Sequence, residues 1–512
     1  MLTLSVTGAA RAACPRALHP LLRRLESSEI GRRFASGAFW SLLGAVASRL
    51  LMLGAYVAMA RILGKADYGR FGTIQSTLGM FGVFAGFGLG ITANKHIAEL
   101  RDKDPVRAGR IMGLAGAVAA TTAVGIGAAL FGFAPWLAAR TLNAPEMGPL
   151  LRIGALVLVF EAMNGAQAGA LAGFEAFRTT ARISMGVGLV GVPMLVLGVV
   201  LGRIEGSVWA LAANRALSWL LHHLALRREA RKAGVPFSLH GSLRELSVLW
   251  NYSLPSMLAG VMVSPTIWIC NAMLVNRPEG FDQMGILQAN RSFQQVLLFI
   301  GATLGAPLLP MLSNMNGAGR RSDRLARVNM LSSWALGILP ALVLSAVPEI
   351  GQLVFGRDYE GRDFTITYLL TVFSTGVMIY KQGLARAMSA RGMMWWCLVN
   401  NVAWAAILVV CTRLFIARGA VGFAIAWALT YVLNTLLFLP LYVGKRLVPA
   451  RTIVSPEAGL IWLALSVVTG LSLLQVPLGI RLLVLPVMAV AVCGLFWRLF
   501  QVRDTDDAGG AA

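Results

Sequence analysis

The chain has 512 residues, of which 57% are hydrophobic and only 13% charged, and its mean hydropathy is +0.69. That balance excludes an ordinary soluble enzyme or binding module. The formal net charge of +22 is scattered over short segments instead of one soluble face, so nucleic-acid binding does not explain it.

Residues 1–35 form a basic N-terminal segment. No charge precedes its short apolar run, so it does not read as a secretory signal, and Arg11 stands where a lipoprotein site before Cys14 needs an aliphatic residue. Leu18 to Phe34 reads as a basic amphipathic stretch lying on the cytoplasmic membrane surface. Apolar runs then follow at 36–60, 69–94, 111–134, 150–172, 183–202 and 206–226. After a basic linker at 227–246 come 247–275, 285–310, 328–348, 363–388, 395–416 and 420–443, and finally 457–475 and 480–500, with a tail at 501–512. Each run has about 20 residues or more, enough at roughly 1.5 Å per residue to cross a hydrocarbon core about 30 Å thick.

The expected fold class is an all-α polytopic membrane protein of about fourteen transmembrane helices. Residues 36–226 form one six-helix bundle, 247–444 a second in the same orientation, and 445–500 two additional helices. Phe71-Gly72-Thr73-Ile74-Gln75 has a counterpart in Met284-Gly285-Ile286-Leu287-Gln288, each after a short loop, which points to a parallel repeat about an axis along the membrane normal. Lysine and arginine crowd the N-terminal segment and the even-numbered loops, such as Lys95 to Arg110 and Arg227 to Arg244, and thin out in the others. By the positive-inside rule both termini and the linker are cytoplasmic, and 61–68 and 349–362 lie outside. The five cysteines, Cys14, Cys270, Cys397, Cys411 and Cys493, show no CxxC pair and read as small apolar residues, so no metal or cofactor is expected.

The segment Ala60-Arg61-Ile62-Leu63-Gly64-Lys65-Ala66-Asp67-Tyr68-Gly69-Arg70-Phe71 resembles the A-R-x-L-G-x-x-x-Y-G signature of Wzx-type polysaccharide flippases. Gly88 to Glu99 is similar to the segment that ends their second span. These belong to the multidrug/oligosaccharidyl-lipid/polysaccharide exporter superfamily, and Lys65 replaces a proline common in the family loop. The resemblance implies two bundles around a central cavity and export of undecaprenyl-pyrophosphate-linked glycans by alternating access in a bacterial inner membrane. The implied partners are the lipid-linked oligosaccharide, membrane lipids and polysaccharide polymerase or export machinery. Locally, Gly64 and Gly69 permit a tight turn and Tyr68 suits the headgroup level.

Ionisable residues deep in a span are costly unless they face a cavity or a partner. Arg49, Arg215, Arg291 and Lys381 are such cations, and Glu161 is the deep carboxylate. Four cations against one carboxylate point to an anion-attracting interior, with the guanidinium fork suited to phosphate. Glu161 reads as an ion-coupling group or as the structural partner of Arg215 or Arg49. Gln288, Arg291 and Gln295 share one helix face, as do Thr367, Thr371, Ser374 and Lys381, so Gln288, Gln295, Thr371 and Ser374 are candidate cavity lining. Glu161 with Asn164, and Asn214 with Arg215 and Ser218, continue the polar pattern; such stripes also serve as interhelical glue. Asn400, Asn401 and Asn434 read as packing, His222 and His223 as interfacial, and the 55 glycines as close helix contacts.

No Walker loop, H-E-x-x-H or G-x-S-x-G motif occurs. The chain is therefore not expected to be an enzyme, and a transporter is the leading reading. Alternatives are a multidrug antiporter, which would favour more buried carboxylates, and a lipid II flippase, whose arginine-rich pattern near the end of span one is replaced here by Ala60-Arg61-Ile62-Leu63. A membrane ligase or polymerase would need a large external loop.

Overall fold

The computed structural model describes residues 29–239, 241–305, 323–445 and 456–501, together with Leu308, Leu312 and Leu447; side chains are described from Arg49 onward at most of these positions, though not all. The expected amphipathic stretch up to residue 28 and the tail at 502–512 lie outside these residues. No strand occurs among them.

A straight helix of 58 residues would be about 87 Å long, nearly three times the thickness of a hydrocarbon core. Helix α1 (Glu29–Gly86) has that length and is not one rod: Gly64, at φ 77°, breaks it. The two arms fold back, so that Gln75 Nε2 donates to Tyr56 Oη at 3.2 Å. A 41° bend at Phe87 and Gly88 then leads into α2 (Leu89–Leu100). Helix α3 (Pro105–Trp136) starts with proline at its first position and with Asp104 accepting from the Arg107 amide at 2.9 Å, a favourable N-cap. Helix α4 spans Met147–Gly173. Helix α5 (Phe177–Lys232) is again a hairpin, broken at Gly202 and Arg203. Its arms meet at Gly198 and Gly206, where a Cβ on either would lie 2.5 or 2.0 Å from the other's carbonyl oxygen, so only glycine permits the approach.

The second half runs through α6 (Leu254–Val261), α7 (Val263–Val275), α8 (Gly280–Gly305) and α9 (Asp323–Ala346). The short α10 (Glu349–Phe355) is bent 85° from α9. Helices α11 (Arg362–Ala390), α12 (Met394–Phe415) and α13 (Gly419–Gly444) complete it. Helices α14 (Pro456–Leu473), α15 (Leu478–Leu482) and α16 (Val484–Gln501) follow, and they pack on α9 and α11. Among the described residues five helical stretches are long and apolar enough to cross a membrane alone, or seven if each of two bent pairs counts once.

Helices α1 to α5 pack chiefly on one another, as do α7 to α13, and the seam between the groups is mainly α1 against α8. The seam is backbone-tight: a Cβ on Gly69 would lie 1.8 Å from the Phe281 carbonyl oxygen, and one on Gly285 2.2 Å from that of Lys65. Gln288 Nε2 donates to Gln75 Oε1 at 2.8 Å, joining the two glutamines that occupy equivalent places in the pentapeptides noted above.

The loops gather at two opposite ends. At one, Arg61 Nε and Nη2 donate to the carbonyls of Val354 (2.9 Å) and Leu353 (2.6 Å), Arg203 pairs with Asp67 (3.1 Å), and Asn276 donates to the Thr141 carbonyl (2.7 Å). At the other, Arg101 pairs with Glu175 (2.6 Å), Arg107 and Arg110 flank Glu245 (3.1 and 3.7 Å), and Arg391 donates to the Lys445 carbonyl (2.7 Å). Tyr68 is fully buried, where the 61–68 turn packs against α10. Its ring lies 6.4 Å from both Phe71 and Phe355, in a cluster continued by Tyr359, Phe364 and Tyr368. Cys270, Cys397 and Cys411 carry free thiols.

Candidate functional site: a cation-bearing cavity

Helix α1 presents Gly79, Gly82 and Gly86 at helical spacing, a stripe with no side chains. Gly79 and Gly86, like Gly165 of α4 and Gly260 of α6, have nothing within 4 Å of where a Cβ would stand. These glycines therefore leave a void instead of closing a contact, unlike Gly69, Gly198 and Gly206. The void is a cavity of about 990 Å³, walled by α1, α2, α4, α5, α6 and α8. That volume is at the upper end of the roughly 300–1,000 Å³ usual for small-molecule sites. Its lining reaches from Tyr56 and Gln75 to Gly88, Ile91, Ala166 and Ser184, away from the end that Arg61 closes.

Of the candidates read from the sequence, Arg49, Glu161, Arg215 and Gln295 line this cavity together. Glu161 Oε2 stands 3.9 Å from Arg215 Nε, a loose pair whose carboxylate side chain is 55% accessible. Arg49 forms no ion pair among the described residues, and its guanidinium carbon lies 5.8 Å from the centre of the Phe299 ring. Two guanidiniums against one carboxylate leave the wall with a net positive charge. In a partly desolvated site such a charge attracts an anion more strongly than in water.

The remaining candidates lie outside the lining. Arg291 points into the second half, where Nη2 donates to Asn271 Oδ1 at 3.0 Å and the guanidinium sits 5.3 and 5.7 Å from the Phe423 and Trp427 ring centres. Lys381 Nζ donates to Asn434 Oδ1 and lies 5.7 Å from the Tyr431 ring. Asn434 Nδ2 donates in turn to the Asn400 carbonyl (3.2 Å), and Asn400 Nδ2 to Tyr442 Oη (3.0 Å). Thr371 and Ser374 are buried, with the Ser374 hydroxyl spent on the Thr371 carbonyl at 2.9 Å. Gln288 is occupied at the seam by Gln75.

Polar groups that sequence reading did not assign to the site are Tyr56, Gln75, Ser184 and Ser292. Gln288, Gln75 and Tyr56 form a hydrogen-bonded chain from the seam into the cavity. The place of Gln75 in the pentapeptide repeat was the available signal. Asn214, read only as part of a polar stripe, lines the wall while its Nδ2 donates to the Val187 carbonyl at 3.2 Å.

The two packed groups of helices are an arrangement shared with solved flippase and multidrug-transporter structures. Among solved structures, the lipid II flippase MurJ in an inward closed conformation is similar with a TM-score of 0.64 at 13% identity, covering 89% of this chain and 99% of that one. A multidrug resistance MATE family transporter in an inward-facing conformation is similar with a TM-score of 0.57 at 14% identity, covering 78% and 97%. Residues 34–316 match the family described as polysaccharide biosynthesis protein, and the chain belongs to that family. The match contains the 60–71 and 88–99 segments on which the resemblance rests. Two curated relatives are named EPS I polysaccharide export inner membrane protein EpsE. The one from Ralstonia nicotianae (strain ATCC BAA-1114 / GMI1000) is 28% identical over 308 residues, 59% of this chain and 68% of the relative. The one from Ralstonia solanacearum is 27% identical over 297 residues, 57% and 66%.

Proposed function

We propose that this protein moves a polyprenyl-pyrophosphate-linked oligosaccharide from the cytoplasmic to the outer leaflet of a bacterial inner membrane, by alternating access, for surface polysaccharide assembly. The observation that carries this reading is the cavity itself: about 990 Å³, with Arg49 unpaired by any described carboxylate and Arg215 held only loosely by Glu161. A pyrophosphate needs compensating charge in a low-dielectric site, and the guanidinium fork supplies two parallel hydrogen bonds to it. Tyr56, Gln75, Asn214 and Gln295 offer hydroxyl and amide groups to a glycan. Arg291 and Lys381 add positive charge in the second half, where they bias the interior towards anions without touching this cavity.

In this reading the chain crosses the membrane fourteen times with both termini cytoplasmic. The Arg61 end is then outward and closed, and the cavity lies towards the cytoplasmic end, where substrate is loaded. The names of the Ralstonia relatives support export as the process.

Sidedness of the accumulated intermediate tests the proposal. Deleting the gene should leave synthesis of the lipid-linked unit intact, remove surface polysaccharide, and leave the unit on the cytoplasmic leaflet, beyond an impermeant lectin. Outer-leaflet accumulation would instead mark a ligase or polymerase and sink the flippase reading. Altered drug sensitivity with normal surface glycan would mark a multidrug antiporter.

A further inference from the structure

The linker between the two helical groups is expected outside the spans, yet it carries the properties of a membrane-embedded surface. Its inner side is fixed on α3. A Cβ on Gly109 would lie 1.9 Å from the Pro236 carbonyl oxygen, and one on Gly113 2.2 Å from that of Ser238, so the linker backbone lies flat on the helix. Glu245 is buried beneath it, between Arg107 and Arg110. Because the apolar run of α3 begins at residue 111, Ser238 sits level with the start of the hydrocarbon and not out in the cytosol.

The opposite side of the linker exposes large apolar groups. Phe237 is 52% accessible, Leu239 59% and Leu243 72%, and the ridge continues through Leu246 (42%) to Trp250 (71%) at the start of the next apolar run. Exposed basic residues border it, at Arg228, Arg231, Lys232 and Arg244. The two carboxylates of the stretch are already occupied: Glu229 by Lys232 at 2.8 Å, and Glu245 by the arginines of α3. An apolar ridge bordered by cations, at the depth where headgroups meet acyl chains, is the signature of an interfacial element on an anionic leaflet.

We propose that residues 234–239 and 241–250 form a strap seated in the cytoplasmic leaflet, with Phe237, Leu239 and Leu243 among the acyl chains and Arg228, Arg231 and Arg244 on anionic headgroups. The strap holds the first group of helices to the membrane at the point where the chain passes to the second. This assignment is independent of the cargo of the cavity.

Bimane-labelled Phe237→Cys and Leu243→Cys variants, in a background free of other cysteines, test it in vesicles of phosphatidylethanolamine and phosphatidylglycerol. A lipid spin-labelled near its headgroup should quench both positions as strongly as Leu197→Cys, which is 58% accessible on the apolar arm of α5. The same lipid should quench the exposed loop position Lys103→Cys several-fold less. Replacing phosphatidylglycerol by phosphatidylcholine, or changing Arg228, Arg231 and Arg244 together to Gln, should lower quenching at 237 and 243 about twofold. Quenching at 237 and 243 no greater than at 103 overturns the strap. Quenching that ignores both lipid charge and the triple substitution overturns the anionic-headgroup assignment. Blue-shifted emission without lipid quenching, rising with protein density, means that a second copy of the chain covers the ridge and also overturns the proposal.

Discussion

Arg61 offers the sharpest test of alternating access, because it is the signature-loop residue that ties the first helical group to the second at the closed end. Its two hydrogen bonds, at 2.9 and 2.6 Å, reach the last-turn carbonyls of α10, where a cation is favoured by the helix dipole. Gly356, at φ 93°, turns the chain away just beyond them, and a Cβ there would lie 3.6 Å from Arg61. Both bonds are solvent-accessible, so each is worth about 1 kcal/mol net, and losing both removes about 2 kcal/mol from the outward-closed state. Since 1.4 kcal/mol is tenfold, Arg61→Ala should raise the outward-open population roughly thirtyfold. The readout is labelling of a single cysteine placed at Gln295, in the cavity wall, by an impermeant maleimide added to intact cells. Arg61→Lys should give an intermediate rate, because the charge survives while the second bond is lost. Unchanged labelling of Arg61→Ala at normal abundance would refute the latch and leave closure of that end to the Tyr68–Phe355 aromatic cluster, the Asn276–Thr141 bond and the α1–α8 seam.

Three further outcomes follow from the site and the outer brace. Arg49→Ala should abolish export at normal membrane abundance while Arg49→Lys keeps part of it, whereas Arg291→Ala should first lower abundance, because it strips two aromatic contacts and the Asn271 bond; quantitative blotting alongside surface-glycan assay separates the two. Gly79→Leu should insert normally, with nothing within 4 Å of its Cβ, yet obstruct export, whereas Gly69→Leu should fail to accumulate because its Cβ would lie 1.8 Å from a carbonyl oxygen; a Gly79→Leu protein that exports freely would show that the substrate does not use this cavity. Burial raises the Glu349 carboxyl, but the Arg481 hydrogen bond at 2.6 Å and charge more than offset it, so its pKa lies below the usual carboxylate value of about 4.3. The pair's stability is therefore fully present above that value and lost as pH falls through the lower folded one; since Glu349 is half-exposed the contribution is at most about 1 kcal/mol. Melting in detergent should show wild type ahead of Glu349→Gln at pH 7 and level with it near pH 3.

Hydropathy reports depth along the membrane normal, and what was legible in the sequence divides along that line. The breaks at Gly64 and Gly202 fall where two membrane-crossing lengths meet, so both hairpins of α1 and α5 were readable from run length and glycine alone. The 85° bend into α10 was not, because the apolar run ended at residue 348 and 349–362 read as an external loop without a helix of its own; only the Arg61 and Arg481 contacts show why α10 lies across the end of the bundle. Depth also identified Arg49, Arg215, Arg291 and Lys381 as equivalent, since all four interrupt apolar runs. What separates them is azimuth, the direction each faces around its helix axis. That direction is set by partners distant in sequence: Phe423 and Trp427 for Arg291, Asn434 and Tyr431 for Lys381, Phe299 for Arg49. The glycines divide in the same way. Gly69 and Gly79 are indistinguishable as letters, ten residues apart on one helix, yet the first admits a neighbouring backbone and the second opens onto the cavity. The Gln75–Gln288 bond lies between these cases, because the two residues hold the same place in the pentapeptides Phe71–Gln75 and Met284–Gln288 and meet at the seam. Two matched pentapeptides thus carried azimuthal information that hydropathy lacks, because their glutamines face each other across the seam.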